Sequence, residues 1–155
     1  MNPMQALLTL LGHAERERDA AAAEAQRAAL EHEAAQRQVE NLLAYRRDYE
    51  QRWGEQFGRS GGIDIVHCYQ GFIARLGQAI EQQRRAVLHA AQRSARAETL
   101  RCQQEMRVAS VKKLIERRTR ESQRVNDRRE QKHTDEQATH AAWRRPPGSL
   151  LLSAV

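Results

Sequence analysis

The sequence predicts an all-α protein in which two long helices form an antiparallel coiled-coil hairpin, with the second helix overhanging the first. Apolar and small residues recur at alternating steps of four and three, the spacing of a coiled-coil seam. Glycine and proline are scarce, and most of them lie in residues 54–62 and 146–148. Aromatic residues make up only 5% of the chain, too few to fill a thick globular core. We expect a single hairpin over residues 1–145 and a disordered tail at 146–155.

The first helix is predicted to span residues 3–53. Asn2 can cap the free backbone amides, Pro3 suits the first helical position, and Gly54 is a natural helix stop. The middle of its seam is mostly alanine, which buries less surface than leucine and predicts weak packing there. The predicted seam is Leu7, Leu11, Ala14, Arg18, Ala21, Ala25, Ala28, His32, Ala35, Val39, Leu42, Arg46, Tyr49 and Trp53.

A glycine-rich loop over residues 54–62 is predicted to lead into a second helix over residues 63–145, with Asp64 as its cap. After the seam of this helix ends, residues 116–145 are charged on all faces, and Pro146 stops the helix. The seam is Val66, Tyr69, Ile73, Leu76, Ile80, Gln83, Val87, Ala90, Ser94 and Ala97, with a break at Arg101 and Gln104 before Val108, Val111 and Ile115.

If the chain folds back near residue 58, the numbers of facing residues add up to about 116. The first helix then ends opposite the point where the second seam stops, just after Ile115. This agreement favours a hairpin over the alternative, a parallel homodimer. The same register brings Arg18 near Glu98 and Arg101 near Glu15, either as ion pairs or as separately solvated residues at the edge of the seam.

Composition limits the compartment and the chemistry. No apolar stretch reaches the roughly 20 residues that span a bilayer, and no secretory signal is evident.

Cys68 and Cys102 lie too far apart on one helix for a disulfide, which indicates free thiols in a reducing cytoplasm. His67 and Cys68 point about 100° apart, and His133 and His140 are two turns apart, so neither pair suits a metal. We therefore predict a non-enzymatic protein with no catalytic residues, metal or cofactor.

A second apolar stripe runs beside the seam of the second helix, over Phe72, Leu76, Ala79 and Gln83. A two-stranded hairpin can fully bury only one stripe, so this surplus predicts a partner-binding surface. In the alternative interpretation, Phe72 folds over the loop and caps the hairpin.

Three sets of residues form a recognisable pattern along the chain. They are Tyr45 and Tyr49; Tyr69-Gln70-x-Phe72-Ile73-x-x-Leu76-x-x-Ala79-Ile80-Glu81-Gln82-x-Arg84; and Glu130-Gln131-Lys132-x-x-Asp135-Glu136 followed by Ala141-Ala142-x-Arg144. This pattern resembles the flagellar FliJ family, the small coiled-coil component of the type III export apparatus. The resemblance covers roughly residues 5–145 and is most specific in its middle block.

The resemblance implies a hairpin similar to the rotor stalk of F-type ATPases. Such a stalk enters the hexameric ring of the export ATPase, promotes its assembly and activity, and contacts the cytoplasmic domain of the membrane export gate. In the family, the gate contact uses residues that match Phe72, Leu76 and Ala79, while Gln83 stands where a comparable member has histidine. The implied location is cytoplasmic, at the inner face of the cell membrane through partners, with export chaperones as further candidate partners.

On this basis residues 3–30 and 95–145 are expected to lie in the ring, with the tip at 54–80 directed to the gate. The virulence-associated branch of the same secretion machinery stays open. The competing hypothesis is a basic scaffold or nucleic-acid-binding coiled coil, suggested by a pI of about 10.0. Acids interspersed through residues 116–140 and the few aromatic residues argue against specific nucleic-acid binding.

Overall fold

A computed structural model describes residues 2–57 and 62–145 of the chain. It contains two helices, α1 (Pro3–Phe57) and α2 (Ile63–Trp143), and no strand within these two ranges. None of the described helical segments is long and apolar enough to cross a bilayer. The predicted all-α class with two long helices is confirmed. The predicted tail at 146–155 and residues 58–61 of the predicted loop lie outside the described residues.

Helix α1 begins as predicted but ends later. The backbone amide of Met4 donates to Oδ1 of Asn2 at 3.2 Å, which is the expected cap. The helix then passes through Gly54 and ends at Phe57, which corrects the predicted end at residue 53. A glycine inside a helix costs only about 1 kcal/mol relative to alanine, and packing of the neighbouring Trp53 against α2 opposes that cost.

Helix α2 also differs from the prediction at both ends. The carbonyl of Gly62 accepts from the amides of Ile65 and Val66 at 3.1 and 3.3 Å, so Gly62 rather than Asp64 occupies the cap position. Asp64 lies in the first turn, where its negative charge complements the helix dipole. The helix ends at Trp143 instead of residue 145, because a residue that precedes proline disfavours the helical conformation.

Contacts divide the chain into two compact units, which we call the hairpin unit (Gly12–Val108) and the terminal unit (Met1–Leu11 with Ala109–Val155). In the terminal unit Val111 is buried, while Leu7 and Leu11 are half-buried. Every residue from 116 to 145 is exposed. This stretch of α2 therefore has no buried face.

In the hairpin unit the α1 and α2 segments pack against each other in antiparallel order. The predicted seam positions in this unit are all buried or half-buried, including Arg101 and Gln104, where the sequence predicted a break. The helical period thus continues through the polar positions. Ile80, 1% exposed, is the largest fully buried side chain among the described residues. The buried residues are Ala14, Ala21, Ala25, Ala28, Leu76, Ile80, Ala90 and Val108.

The register of the hairpin differs slightly from the prediction of about 116. The numbers of contacting residues add up to 118 for Ala35 and Gln83 and to 124 for Glu31 and Arg93. Because α1 runs on to Phe57, the centre of the connection lies about two residues later than the sequence suggested, and this moves the pairing by about one turn.

Candidate partner-binding site

An aromatic cluster joins the two helices near their connection. Tyr45, Tyr49 and Trp53 follow each other at steps of four on α1, which places them on one helix face. The Tyr49 ring lies 4.4 Å, centroid to centroid, from Phe72 and 5.9 Å from Tyr69. Trp53 lies 4.9 Å from Tyr69. These separations match favourable aromatic pairs, so the cluster fastens α1 to α2 at this end of the hairpin unit.

The four residues predicted to bind a partner lie in this region and are turned at least partly toward α1. Phe72 is half-buried, with its ring edge-on to Tyr45 at 6.3 Å as well as against Tyr49. Leu76 is buried and Ala79 is half-buried. The side-chain amide of Gln83 donates to the carbonyl of Ala35 at 3.4 Å. The second stripe therefore contributes to the hairpin and also keeps part of its surface accessible.

Tyr45 on α1 shares the packing of Phe72, although Tyr45 is not a position of the predicted seam. Tyr45, Tyr49 and Trp53 recur every four residues, and this spacing is the sequence feature that could have indicated the contact. The alternative in which Phe72 folds over the loop involves residues 58–61, which lie outside the described residues. Tyr45 itself is 52% exposed, so it adds to the accessible apolar surface beside Phe72.

Two further features extend this surface toward the start of α2. Ile63 and Ile65 are exposed, at 77% and 45%. A shallow groove of about 300 Å³ is lined by residues of both helices and combines aromatic side chains with polar ones. Such a groove suits an apolar side chain of a partner. It is lined by Glu50, Trp53, Gly54, Val66, Tyr69 and Gln70.

A polar layer interrupts the seam farther along α2. Arg101 donates to Glu98 and, at 2.7 Å, to Glu105. The hydrogen bond from Arg101 lowers the pKa of Glu98, and the two carboxylates raise the pKa of Arg101. Arg18 binds Asp19 at 3.0 Å. Both seam arginines thus bind carboxylates of their own helix, whereas the sequence placed them opposite Glu98 and Glu15.

The ion pairs that cross the hairpin unit involve flanking residues instead. Arg107 binds Glu17 at 2.9 Å and Arg93 binds Glu31 at 3.5 Å. All four side chains are substantially exposed, so each pair contributes roughly 0–1 kcal/mol and sets register more than stability.

The exposed part of α2 in the terminal unit carries a basic stripe, although the sequence predicted only that this part is charged on all faces. Five basic residues follow each other at steps of three or four and therefore share one helix face. The flanking acids only partly neutralise them, as in the 3.5 Å ion pair of Arg120 with Glu116. The steps of three or four residues between these basic residues are the sequence feature that identifies the stripe. The basic stripe consists of Lys113, Arg117, Arg120, Arg124 and Arg128.

The described residues offer no arrangement suited to metal chemistry. No group of three His, Cys, Asp or Glu side chains in residues 2–57 and 62–145 could hold a metal ion. Cys68 and Cys102 are both exposed and unpaired with each other. The accessible features are an apolar surface on the hairpin unit and a basic stripe on the terminal unit, and both are of kinds that bind macromolecules.

Comparison with known families identifies the family to which the chain is similar. The model of a family described as flagellar FliJ protein matches residues 4–147, which is nearly the whole chain. No curated protein and no solved structure matches the sequence significantly.

Proposed function

The chain belongs to the FliJ family of flagellar export proteins, and from this premise we propose that it is the non-enzymatic stalk of the flagellar type III export apparatus. In this role it inserts into the hexameric ring of the export ATPase and promotes the assembly and activity of the ring. It also contacts the cytoplasmic domain of the membrane export gate. These partners hold it at the inner face of the cell membrane, and export chaperones are further candidate partners.

The exposed segment of α2 is the observation that carries the ring assignment. Residues 116–143 form continuous helix without a buried position, and a helix exposed on every side gains its ordering from a partner. The positive charge of the basic stripe would attract this segment to an acidic inner surface of the ATPase ring. We assign residues 3–30 and 95–145 to the ring.

The gate contact is assigned to the apolar surface of the hairpin unit. Phe72 and Ala79 retain exposed area and can touch a partner directly. Leu76 is buried, so it contributes by holding Phe72 and Ala79 in position. The side-chain amide of Gln83 donates a hydrogen bond to the carbonyl of Ala35, and the exposed part of the Gln83 side chain can contact a partner.

Two measurements on the full chain test these assignments. Adding the protein to the cognate export ATPase should raise the rate of ATP hydrolysis, and an unchanged rate at saturating protein contradicts the ring assignment.

Phe72→Ala should weaken binding to the isolated cytoplasmic domain of the gate. Val108→Ala is the matched control, because it truncates a buried side chain of the hairpin unit that lies far along α2 from Phe72 and should also lower stability. Equal loss of gate affinity in both variants would mean that folding, not contact, is being measured.

A further inference from the structure

The end of α2 carries an exposed apolar residue beside basic ones. Trp143, the last helical residue, is 85% exposed. His140, Trp143 and Arg144 are related by steps of three and four, which places an aromatic ring and basic groups on one face of the last turn. The backbone amide of Arg144 still donates to the carbonyl of His140 at 3.2 Å, so this face keeps helical geometry up to Arg144.

The charge pattern changes sharply at the same place. Between residues 116 and 136, acidic and basic residues are interspersed along the helix. From residue 137 to residue 155 the sequence contains no Asp or Glu, while it contains Arg144, Arg145, Trp143 and the run Leu150–Leu152. An acid-free segment that combines arginine, tryptophan and leucine is typical of chains that bind at the surface of an anionic bilayer.

We propose that residues 137–145 bind directly to anionic lipid surfaces, with Trp143 entering the interface and Arg144 and Arg145 binding lipid phosphates. Tryptophan suits this depth because its ring is apolar while its indole N–H still reaches water or a headgroup. Arginine suits it because its guanidinium binds phosphate in a bidentate manner while its alkyl part stays on the apolar side.

A lipid surface fits these groups better than an acidic protein does. A fluid bilayer accepts a tryptophan side chain without a shaped pocket, and its phosphates supply the negative charge that residues 137–145 lack. Residues 137–145 also belong to the range assigned to the ATPase ring, so lipid and ring would compete for this end of the chain. The lipid proposal does not depend on the ring assignment, because it is tested on the isolated protein.

The chain holds only two tryptophans, Trp53 and Trp143, so a Trp53→Phe variant makes Trp143 the sole tryptophan reporter. The full-length variant is mixed with vesicles of phosphatidylcholine alone or of phosphatidylcholine with phosphatidylglycerol. Binding is measured by co-sedimentation, and the position of Trp143 by its emission. We expect a blue shift and co-sedimentation only with the anionic vesicles, both weakened by salt.

Variants separate this site from general attraction to a basic protein. Replacing Arg144 and Arg145 by Gln should lower the vesicle partition coefficient about 30-fold. The matched control replaces Arg128 and Arg129 by Gln, which removes the same charge from the acid-containing part of α2 and should change binding about threefold or less. In an otherwise unchanged chain, Trp143→Ala should also weaken co-sedimentation.

Three outcomes would overturn the proposal. One is unchanged Trp143 emission with anionic vesicles, and another is equal loss of binding in the two double variants. The third is binding to polyglutamate without binding to anionic vesicles, which would point to an acidic protein partner instead.

Discussion

The ring of Phe72 on α2 packs 4.4 Å, centroid to centroid, from the ring of Tyr49 on α1. The residue that the family resemblance assigns to a partner is therefore also a packing residue of the hairpin unit. Partner binding and hairpin stability are coupled at this position. A mutation here changes both, and the two effects have to be measured separately.

A double-mutant cycle measures the Phe72–Tyr49 contact. We expect Phe72→Ala to lower the free energy of unfolding by about 2 kcal/mol, below the usual cost for a fully buried phenylalanine because Phe72 is only half-buried. The coupling free energy between Phe72→Ala and Tyr49→Ala should be about 0.5–1.5 kcal/mol, measured by urea unfolding. Val125, exposed and remote in sequence from both rings, supplies the control through Val125→Ala paired with Tyr49→Ala. A coupling as large for that pair would contradict the assignment.

Ile80 should be the most sensitive aliphatic position of the hairpin unit. It is 1% exposed, so Ile80→Ala leaves a cavity and should cost about 2–4 kcal/mol in the free energy of unfolding. Leu88, eight residues later on the same helix, is 63% exposed, and Leu88→Ala should cost about 0.5 kcal/mol or less. Similar urea midpoints for the two variants would show that this core contributes little to stability.

Gln104 offers a stabilising substitution. Its Oε1 is buried and has no hydrogen-bond partner among the described residues, although the position lies in the seam. Gln104→Leu removes the unsatisfied oxygen and adds apolar contact, so the free energy of unfolding should rise by about 1–2 kcal/mol. Gln103→Leu is the matched control, since Gln103 is exposed and the same change should have almost no effect there. A destabilised Gln104→Leu variant would indicate that the oxygen is satisfied in solution.

The pKa of Glu98 connects the polar layer to pH. Because Arg101 donates a hydrogen bond to its carboxylate, the pKa of Glu98 lies below its ordinary value of 4.5 in the folded chain. A lowered carboxyl pKa stabilises the fold above the unfolded pKa, and this stabilisation is lost as the pH falls through the folded value. An NMR titration should give a midpoint below 4.5 for Glu98. Arg101→Gln should raise it, and an unchanged midpoint in that variant would exclude Arg101 as the cause.

The sequence predicts positions along a helix better than it predicts pairing between helices. The four-three spacing placed Arg101 and Gln104 correctly in line with the seam, even though their polarity suggested a break, because the period is a property of helix geometry. The register was displaced because Gly54 does not end α1, and one extra turn moves every facing pair. Spacing alone also could not show that Phe72 packs on Tyr45 and Tyr49, because this contact depends on the rotamers of the three side chains.

The basic stripe should control binding to the export ATPase through charge. Replacing Arg117 and Arg124 by Gln removes two charges from the stripe, so we expect about 2–10-fold weaker binding and a smaller salt dependence. Arg118 and Arg129 project from the far side of the same exposed helix, and their replacement by Gln removes equal charge without touching the stripe. The difference in ATPase affinity between the two double variants therefore separates the effect of the stripe from the effect of net charge. Equal losses would assign the attraction to overall charge, and a DNA affinity that persists at physiological salt would favour the nucleic-acid-binding alternative.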